Sequence, residues 1–175
     1  MHREAHYIAV NISSPNTPGL RELQFGAHLD SLLGALKEET VRLDAANGKR
    51  VPLAVKIAPD MTPEEVDLVA DCLQRNGIDA VIATNTTVSR DAVKGARHGD
   101  EAGGLSGMPV RAASDRIITQ LRRQLPALPI IGVGGVMDGN DARSKRWAGA
   151  DLVQLYTGLI YRGPALVGKC TRALV

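Results

Sequence analysis

The sequence has 175 residues, of which 44% are hydrophobic and 23% are charged, a composition typical of one ordinary soluble globular domain. Its 21 basic and 19 acidic residues are spread along the chain, so the net charge of +2 gives no sign of a nucleic-acid-binding surface. The two cysteines form no CxxC pair and the four histidines lack metal-ligand spacing, which excludes a structural zinc site and indicates a reducing compartment.

The start of the chain carries no targeting signal that we can recognise. Residues 1–6 lack the apolar core of a signal peptide, and no later apolar run approaches the roughly 20 residues that a membrane-spanning helix needs. We therefore expect a chain that neither spans a membrane nor is exported.

Five short apolar runs rich in β-branched residues predict five β-strands. They cover residues 7–12, 52–57, 80–84, 129–133 and 151–155. Each run is nearly unbroken rather than alternating, which is typical of strands buried on both faces of a parallel sheet.

Amphipathic stretches between these runs predict helices. Apolar residues at helical spacing form one face in each of three stretches, at residues 29–43, 66–73 and 117–121. The second of these helices has Thr62 as N-cap, Pro63 at its first position, Glu65 to complete a capping box, and Asn76-Gly77 as its stop.

Alternation of strand and helix predicts an α/β fold made of right-handed βα units, in either an open doubly wound sheet or a barrel. Polar residues and glycines follow every predicted strand, and a ring of such strand ends favours a barrel. Five strands cannot close a barrel of eight. Either an N-terminal portion is absent, or the five units form an open sheet.

The segment after the first strand, Asn-Ile-Ser-Ser-Pro-Asn-Thr-Pro-Gly-Leu at residues 11–20, is the most informative part of the sequence. Its prolines and glycine predict a rigid loop that presents amides and hydroxyls. Such clusters are also ordinary turn formers, and the pattern alone leaves both interpretations open.

This segment resembles, residue for residue, the active-site loop of quinone-linked dihydroorotate dehydrogenases, whose soluble relatives have cysteine where this chain has Ser14. The resemblance continues in order through five further motifs, at residues 55–60, 83–87, 103–107, 131–135 and 155–158.

The resemblance implies a (β/α)8 TIM barrel, of which this chain carries about the last five βα units. Residues 1–175 would be the C-terminal part of a single FMN-binding domain, with the N-terminal strands and the helical quinone-binding extension absent. The implied enzyme oxidises dihydroorotate to orotate in pyrimidine biosynthesis, with FMN as hydride acceptor and quinone as terminal acceptor. It would sit peripherally on the cytoplasmic side of the inner membrane, with neither metal nor nucleic acid as a partner.

The resemblance makes Ser14 the general base that removes a proton from a ring carbon of dihydroorotate while hydride leaves the neighbouring carbon. A serine hydroxyl is a poor base at neutral pH, so it needs an ordered site and a proton path. The alternative is a turn hydroxyl that caps a backbone amide.

The amide side chains suit a planar pyrimidine, because each amide can both donate and accept hydrogen bonds. The resemblance places Asn11, Asn16, Asn85 and Thr86 around the substrate ring and its carboxylate, with Asn11 also touching the flavin. Taken singly, each of these residues could also be a turn or strand-end cap.

Lys56 ends a predicted strand, where an unpaired ammonium group is costly and needs an anionic partner. The resemblance implies that this partner is the reduced flavin. The alternative is a structural ion pair with an acidic neighbour such as Asp60.

Glycine-bearing turns follow the last two predicted strands, where barrels often bind phosphate through backbone N–H groups. With the resemblance, Gly134, Gly135, Tyr156 and Thr157 are predicted to hold the FMN phosphate, and they could instead form ordinary tight turns. Two further residues, Thr84 and Gly107, are implied to contact the flavin.

Three rival interpretations remain. The enzyme could belong to the soluble class, or be similar to the flavin domain of dihydropyrimidine dehydrogenases, although cysteine is the expected base in both. The chain could also be an inactive fragment or a non-catalytic binding module, because three barrel strands would be missing.

Overall fold

A computed structural model describes residues 2–175 and shows one parallel β-sheet covered by helices. The five strands are β1 (Ile8–Asn11), β2 (Leu53–Ile57), β3 (Ala80–Ala83), β4 (Ile130–Val133) and β5 (Leu152–Gln154). All five predicted strands are present. Each predicted run is longer than the strand by one residue at one or both ends, because strand pairing stops before the apolar run does.

Six α-helices connect or follow the strands. They are α1 (Gly26–Asn47), α2 (Pro63–Arg75), α3 (Arg111–Gln124), α4 (Gly139–Ala148), α5 (Thr157–Arg162) and α6 (Ala165–Leu174). Helix α2 begins as predicted, since the Thr62 side chain accepts from the Glu65 amide and the Glu65 side chain accepts from the Thr62 amide. It also ends as predicted, because Gly77 takes the left-handed conformation, with φ of +58°, that stops a helix.

The three central strands, β2, β3 and β4, are buried on both faces, as the unbroken apolar runs predict, whereas the outer strands β1 and β5 are partly exposed. On one face, Val55, Val81 and Ile130 pack with the apolar sides of α1, α2 and α3 in the main core. On the other face, Ala54, Ile82 and Val133 form a smaller apolar cluster. Side chains alternate along a strand. A residue two positions along the strand from Ala54, Ile82 or Val133 therefore lies on the same face of the sheet as this smaller cluster.

The strand order distinguishes between the two α/β architectures. Each strand pairs in parallel with the next one along the chain, so that the order is β1-β2-β3-β4-β5 without a reversal. A doubly wound sheet reverses its strand order, whereas a (β/α)8 barrel does not. The five βα units are therefore those of a barrel, and the open-sheet alternative is not supported.

The two outer strands, β1 and β5, have no neighbour on their outer sides within residues 2–175. Near the β5 edge, large apolar side chains are exposed, including Leu152 at 63%, Ile160 at 74% and Tyr161 at 76%. Open strand edges next to apolar surface are templates for pairing with other chains.

We therefore expect the 175-residue chain to self-associate in solution. Size-exclusion chromatography with light scattering should show oligomers, and the double substitution Leu152→Lys, Ile160→Lys should shift the mass toward the monomer by removing the apolar edge. As a control, Val41→Lys changes an apolar residue of α1 that is also exposed, at 57%, and should leave the mass unchanged. A monodisperse wild-type monomer would contradict this expectation.

Candidate functional site

A cavity of about 320 Å³ lies at the carboxyl ends of the strands, where the turns after β1, β3, β4 and β5 meet Lys56 of β2. Parallel pairing puts these ends on the same edge of the sheet, which is where barrels and other α/β folds bind ligands. Every site residue predicted from the sequence lines this cavity: Asn11, Ser14, Asn16, Lys56, Thr84, Asn85, Thr86, Gly107, Gly134, Gly135, Tyr156 and Thr157.

A hydrogen-bond network fixes the two amides at the ends of β1 and β3. The Asn85 amide group donates to Asn11 Oδ1 at 3.2 Å and to Ser13 Oγ at 3.0 Å, and Ser13 Oγ donates to Asn11 Oδ1 at 2.9 Å. Asn85 Oδ1 in turn accepts from the backbone amide of Thr86 at 2.8 Å. The orientation of both amides is thereby set before any ligand enters.

This network leaves amide donors available to a ligand. Asn11 Oδ1 accepts within the network, but its Nδ2 group has no acceptor within residues 2–175, and neither does the side chain of Asn16. Donors that face a cavity in this way match the carbonyl and carboxylate oxygens of a planar polar ligand.

Ser14 is half-buried and lines the cavity, and its hydroxyl also takes part in a turn. Its Oγ accepts from the backbone amide of Asn16 at 3.3 Å, which is the contact that the turn interpretation requires. No side chain in the described part of the chain accepts a hydrogen bond from the Ser14 hydroxyl. The hydroxyl hydrogen can therefore point into the cavity while the turn is intact, so the two interpretations are compatible in this geometry.

The structural ion pair considered for Lys56 is not formed. Asp60 pairs instead with Arg21, at 2.8 Å between Oδ2 and a guanidinium nitrogen, and also accepts from the Thr87 hydroxyl and the Val88 amide. No carboxylate in residues 2–175 forms an ion pair with Lys56, which lines the cavity, and burial lowers the pKa of its ammonium group. An anion bound beside Lys56 would oppose this effect.

Two glycines of the turns after β4 and β5 have no room for a side chain. A Cβ atom on Gly135 would lie 2.4 Å from Arg111 Cβ, and one on Gly158 would lie 2.0 Å from the carbonyl oxygen of Val136. The backbone at Gly135 also has a φ of +75°, which only glycine adopts freely. These glycines let the two turns pack closely against the protein, and Gly134, Gly135 and Gly158 also line this end of the cavity, where glycine backbone N–H groups can approach a phosphate.

Two polar residues of the cavity region were not predicted. Ser13 is fully buried and links Asn11 to Asn85, and Gln154, on β5, lines the cavity. Gln154 Oε1 is buried and has no donor within the described residues. The available signal was a lone polar residue inside the apolar run Leu152–Leu155, since alternation places it on the same face as the cavity.

Gly104 brings the loop from 103 to 107 against the loop that carries Ser14. A Cβ atom at Gly104 would lie 1.9 Å from Thr86 Oγ1 and 2.9 Å from Pro15 Cγ. The loop therefore covers the cavity on this side only because residue 104 lacks a side chain.

We expect Gly104→Ala to displace Thr86 and to lower the free energy of unfolding by about 1–3 kcal/mol, the usual cost of overpacking. Denaturant unfolding of the wild type and the variant measures this change. Gly34→Ala, where a Cβ atom would meet only Asn76 Oδ1 at 3.6 Å, is the control and should be at least as stable as the wild type. Equal stability of Gly104→Ala and the wild type would show that the close packing at Gly104 does not shape the cavity.

The comparisons with known proteins identify the family of this chain. The profile of the dihydroorotate dehydrogenase family matches residues 1–175. The chain is 63% identical over 175 residues to a protein of Leptothrix cholodnii named dihydroorotate dehydrogenase (quinone), and 59% identical over 175 residues to one of the same name from Methylibium petroleiphilum. The chain belongs to the dihydroorotate dehydrogenase family.

The matches cover nearly all of this chain but only part of its relatives. The alignments include 99% of the chain and 51% of each of these two proteins, so this family member spans about half the length of the curated relatives it matches. A crystal structure of a dihydroorotate dehydrogenase from Eimeria tenella in complex with ferulenol superimposes with a TM-score of 0.92 at 38% identity. The superposition includes 99% of this chain and 50% of the Eimeria tenella chain.

Within residues 2–175, no helix combines the length and apolar character of a membrane span. The same residues contain no group of three or more His, Cys, Asp or Glu side chains placed to hold a metal ion.

Proposed function

We propose that this chain forms the substrate- and flavin-binding half of a quinone-linked dihydroorotate dehydrogenase, which oxidises dihydroorotate to orotate in pyrimidine biosynthesis. The observation that carries the proposal is the single cavity in which the Ser14 loop, the fixed amides, Lys56 and the glycine turns meet. Membership of the family supports a flavin-dependent enzyme. FMN as the specific cofactor is part of the proposal.

The residues of the cavity fit FMN. Its phosphate suits the bare backbone of Gly134 and Gly135, with Tyr156 and Thr157 at the next turn. The ring system, which becomes anionic on reduction, suits the unpaired ammonium of Lys56. A ring N–H group could also supply the donor that Gln154 Oε1 lacks. When bound, FMN would supply the acceptor for the hydride that leaves the substrate.

The chain's own residues would bind and orient the substrate. Asn11, Asn16 and Asn85, with the Thr86 hydroxyl, offer hydrogen bonds to the carbonyl, N–H and carboxylate groups of dihydroorotate. The network through Ser13 holds Asn11 and Asn85 in place, so that little ordering remains to be done when the substrate binds. Thr84 and Gly107 would line the flavin side of the same cavity.

Ser14 would take the proton from the substrate carbon next to the one that loses hydride. The loop around it supplies order through the Asn16 amide contact and the buried Ser13. No histidine or carboxylate within residues 2–175 hydrogen-bonds to Ser14 Oγ, so the proton would pass on through water or a hydroxyl relay outside these contacts.

The quinone class is favoured by serine at position 14, because cysteine is the residue expected there in the soluble class and in dihydropyrimidine dehydrogenases. We propose that quinone reoxidises the flavin at residues outside this chain, and that the enzyme associates peripherally with the cytoplasmic face of the inner membrane. Two neighbours in sequence, from Leptothrix cholodnii and Methylibium petroleiphilum, carry the quinone-class name.

The second candidate function is that this chain is one half of the enzyme and does not catalyse the reaction by itself. It is favoured by the open edges of β1 and β5, which leave the cavity without the remaining barrel strands. Under this alternative, the chain would retain the geometry of the site without turnover.

The test compares the chain alone with a joined enzyme, in which the chain is fused to the part of the Leptothrix cholodnii relative that lies outside the matched region. We expect the joined enzyme to bind FMN and to reduce a soluble quinone with dihydroorotate, and the chain alone to bind FMN poorly. A joined enzyme that binds FMN and quinone but shows no dihydroorotate-dependent reduction would contradict the proposed function.

A further inference from the structure

The side chain of Arg21 connects three separate segments that surround the cavity, although Arg21 itself does not line it. Its Nε group donates to the carbonyl oxygen of Ser13 at 3.2 Å, one terminal nitrogen donates to Asp60 at 2.8 Å, and the other donates to the carbonyl oxygen of Thr86 at 2.9 Å. These acceptors belong to the loop after β1, the turn after β2 and the segment after β3.

Asp60 extends this connection. Besides Arg21, it accepts from the Thr87 hydroxyl and from the Val88 amide at 2.9 Å, so both of its oxygens are used. Thr87 is bonded through its backbone to Leu105, in the loop that covers the cavity, at 3.0 and 2.8 Å. The Arg21–Asp60 pair therefore joins the Ser14 loop to the loop at residues 103–107 that lies against it.

The short helical segment that carries Arg21 is itself held firmly. Gln24, which is 1% exposed, accepts from the backbone amide of Ala58 at 2.8 Å and donates to the carbonyl oxygen of Arg21 at 3.4 Å. The guanidinium group thus extends from a fixed base, and both side chains of the Arg21–Asp60 pair are only 22% exposed, where water screens the pair less than at the surface.

From this geometry we infer that Arg21 is a positioning residue, which sets the distance between Ser14 on one side of the substrate and Asn85 and Thr86 on the other. The inference rests on the proposed function of the cavity. It follows from the fixed fork of a guanidinium group, which can serve three acceptors at defined angles, whereas a lysine ammonium on a flexible stem cannot hold the same three positions.

The chain itself provides the first test, by amide hydrogen exchange. In Arg21→Ala, the amides of Ser13 and Thr86, which are bonded to the Asn11 and Asn85 side chains, should exchange at least about tenfold faster, because the segments that carry them lose the Arg21 hydrogen bonds to their carbonyl oxygens. The sheet amides of Val55 and Val81 should exchange at the wild-type rate. Faster exchange throughout the sheet would show a general loss of stability and would overturn the inference.

The second test uses the joined enzyme and separates KM from kcat. In Arg21→Ala and Arg21→Lys, the KM for dihydroorotate should rise and kcat should fall by up to about 100-fold, because a displacement near 1 Å can cost about that much in rate. The melting temperature of Arg21→Lys should stay near that of the wild type, because the charge opposite Asp60 is kept. Arg42→Ala, which removes an exposed arginine paired with Glu39 on α1, is the matched control and should change none of these values.

The results distinguish this inference from the proposed function. If the wild-type joined enzyme binds orotate and both Arg21 variants bind it equally well with unchanged exchange at Ser13 and Thr86, the positioning role is wrong and the proposed function stands. If the wild type does not bind orotate or oxidise dihydroorotate, the proposed function fails, and the exchange experiment still decides whether Arg21 fixes the two segments.

Discussion

Replacing Ser14 by alanine should slow flavin reduction by dihydroorotate by about 10²- to 10⁴-fold, which is the usual contribution of a general base. This corresponds to roughly 3–5 kcal/mol of activation free energy. The loop keeps its prolines, its buried Ser13 and its Arg21 contact, so binding of FMN and orotate should be close to that of the wild type. Single-turnover absorbance of the flavin in the joined enzyme measures the rate.

Ser14→Cys provides the chemical control for this prediction. A thiol ionises near pH 8.5, so the thiolate becomes an available base as the pH rises. The rate of Ser14→Cys should therefore increase between about pH 7 and pH 9 and partly recover, while Ser14→Ala stays slow at every pH. An unchanged reduction rate in Ser14→Ala would leave Ser14 as the turn hydroxyl that accepts from Asn16.

Replacing Lys56 by methionine should have the second largest effect. Removing one group that stabilises developing charge typically lowers a rate by about 10²- to 10³-fold, and the flavin potential should become more negative because its reduced form loses a neighbouring cation. Folding should be nearly intact, since no ion pair within residues 2–175 depends on Lys56. Photoreduction titration gives the potential, and thermal unfolding gives the stability.

Lys56→Arg serves as the control, because it keeps the charge while changing its shape, and its potential should stay closer to that of the wild type. A structural role would give the opposite pattern. In that case Lys56→Met would unfold at a much lower temperature, and the flavin that remained bound would be reduced at the normal rate.

Much of the fold could be predicted from the sequence because its signals are local. The unbroken apolar runs predict strands buried on both faces, and the structure shows clusters on both sides of the sheet. The capping box at Thr62 and the glycine at position 77 are backbone requirements that few other residues meet. The choice between a barrel and a doubly wound sheet required the strand order, which no local pattern specifies.

The candidate site, too, could be predicted from the sequence only in part. The predicted site residues at or after the strand ends could be placed together from the sequence, because parallel strands bring their carboxyl ends to one edge, and all of these predicted residues line the cavity. Their chemical roles remain predictions. The partner of Asp60 could not be predicted, because Arg21 is 39 residues away in the chain and only the folded loop brings the two together.

The supporting residues were missed for a similar reason. Arg21 is an ordinary charged residue in sequence, and Gln154 is a single polar side chain in a short strand. Their importance depends on angles and on burial: Arg21 has three acceptors, and Gln154 Oε1 has no donor within residues 2–175. The acceptors of Arg21 leave no pattern in the sequence, whereas Gln154 could have been found as the lone polar residue of its apolar run.

The most direct test of the proposed function is anaerobic mixing of the FMN-loaded joined enzyme with dihydroorotate, without quinone. We expect the flavin absorbance to bleach in a single turnover, with one orotate formed for each flavin reduced. If FMN and orotate both bind while the flavin stays oxidised and no orotate forms, the cavity is a binding site without this chemistry, and the proposed function is contradicted.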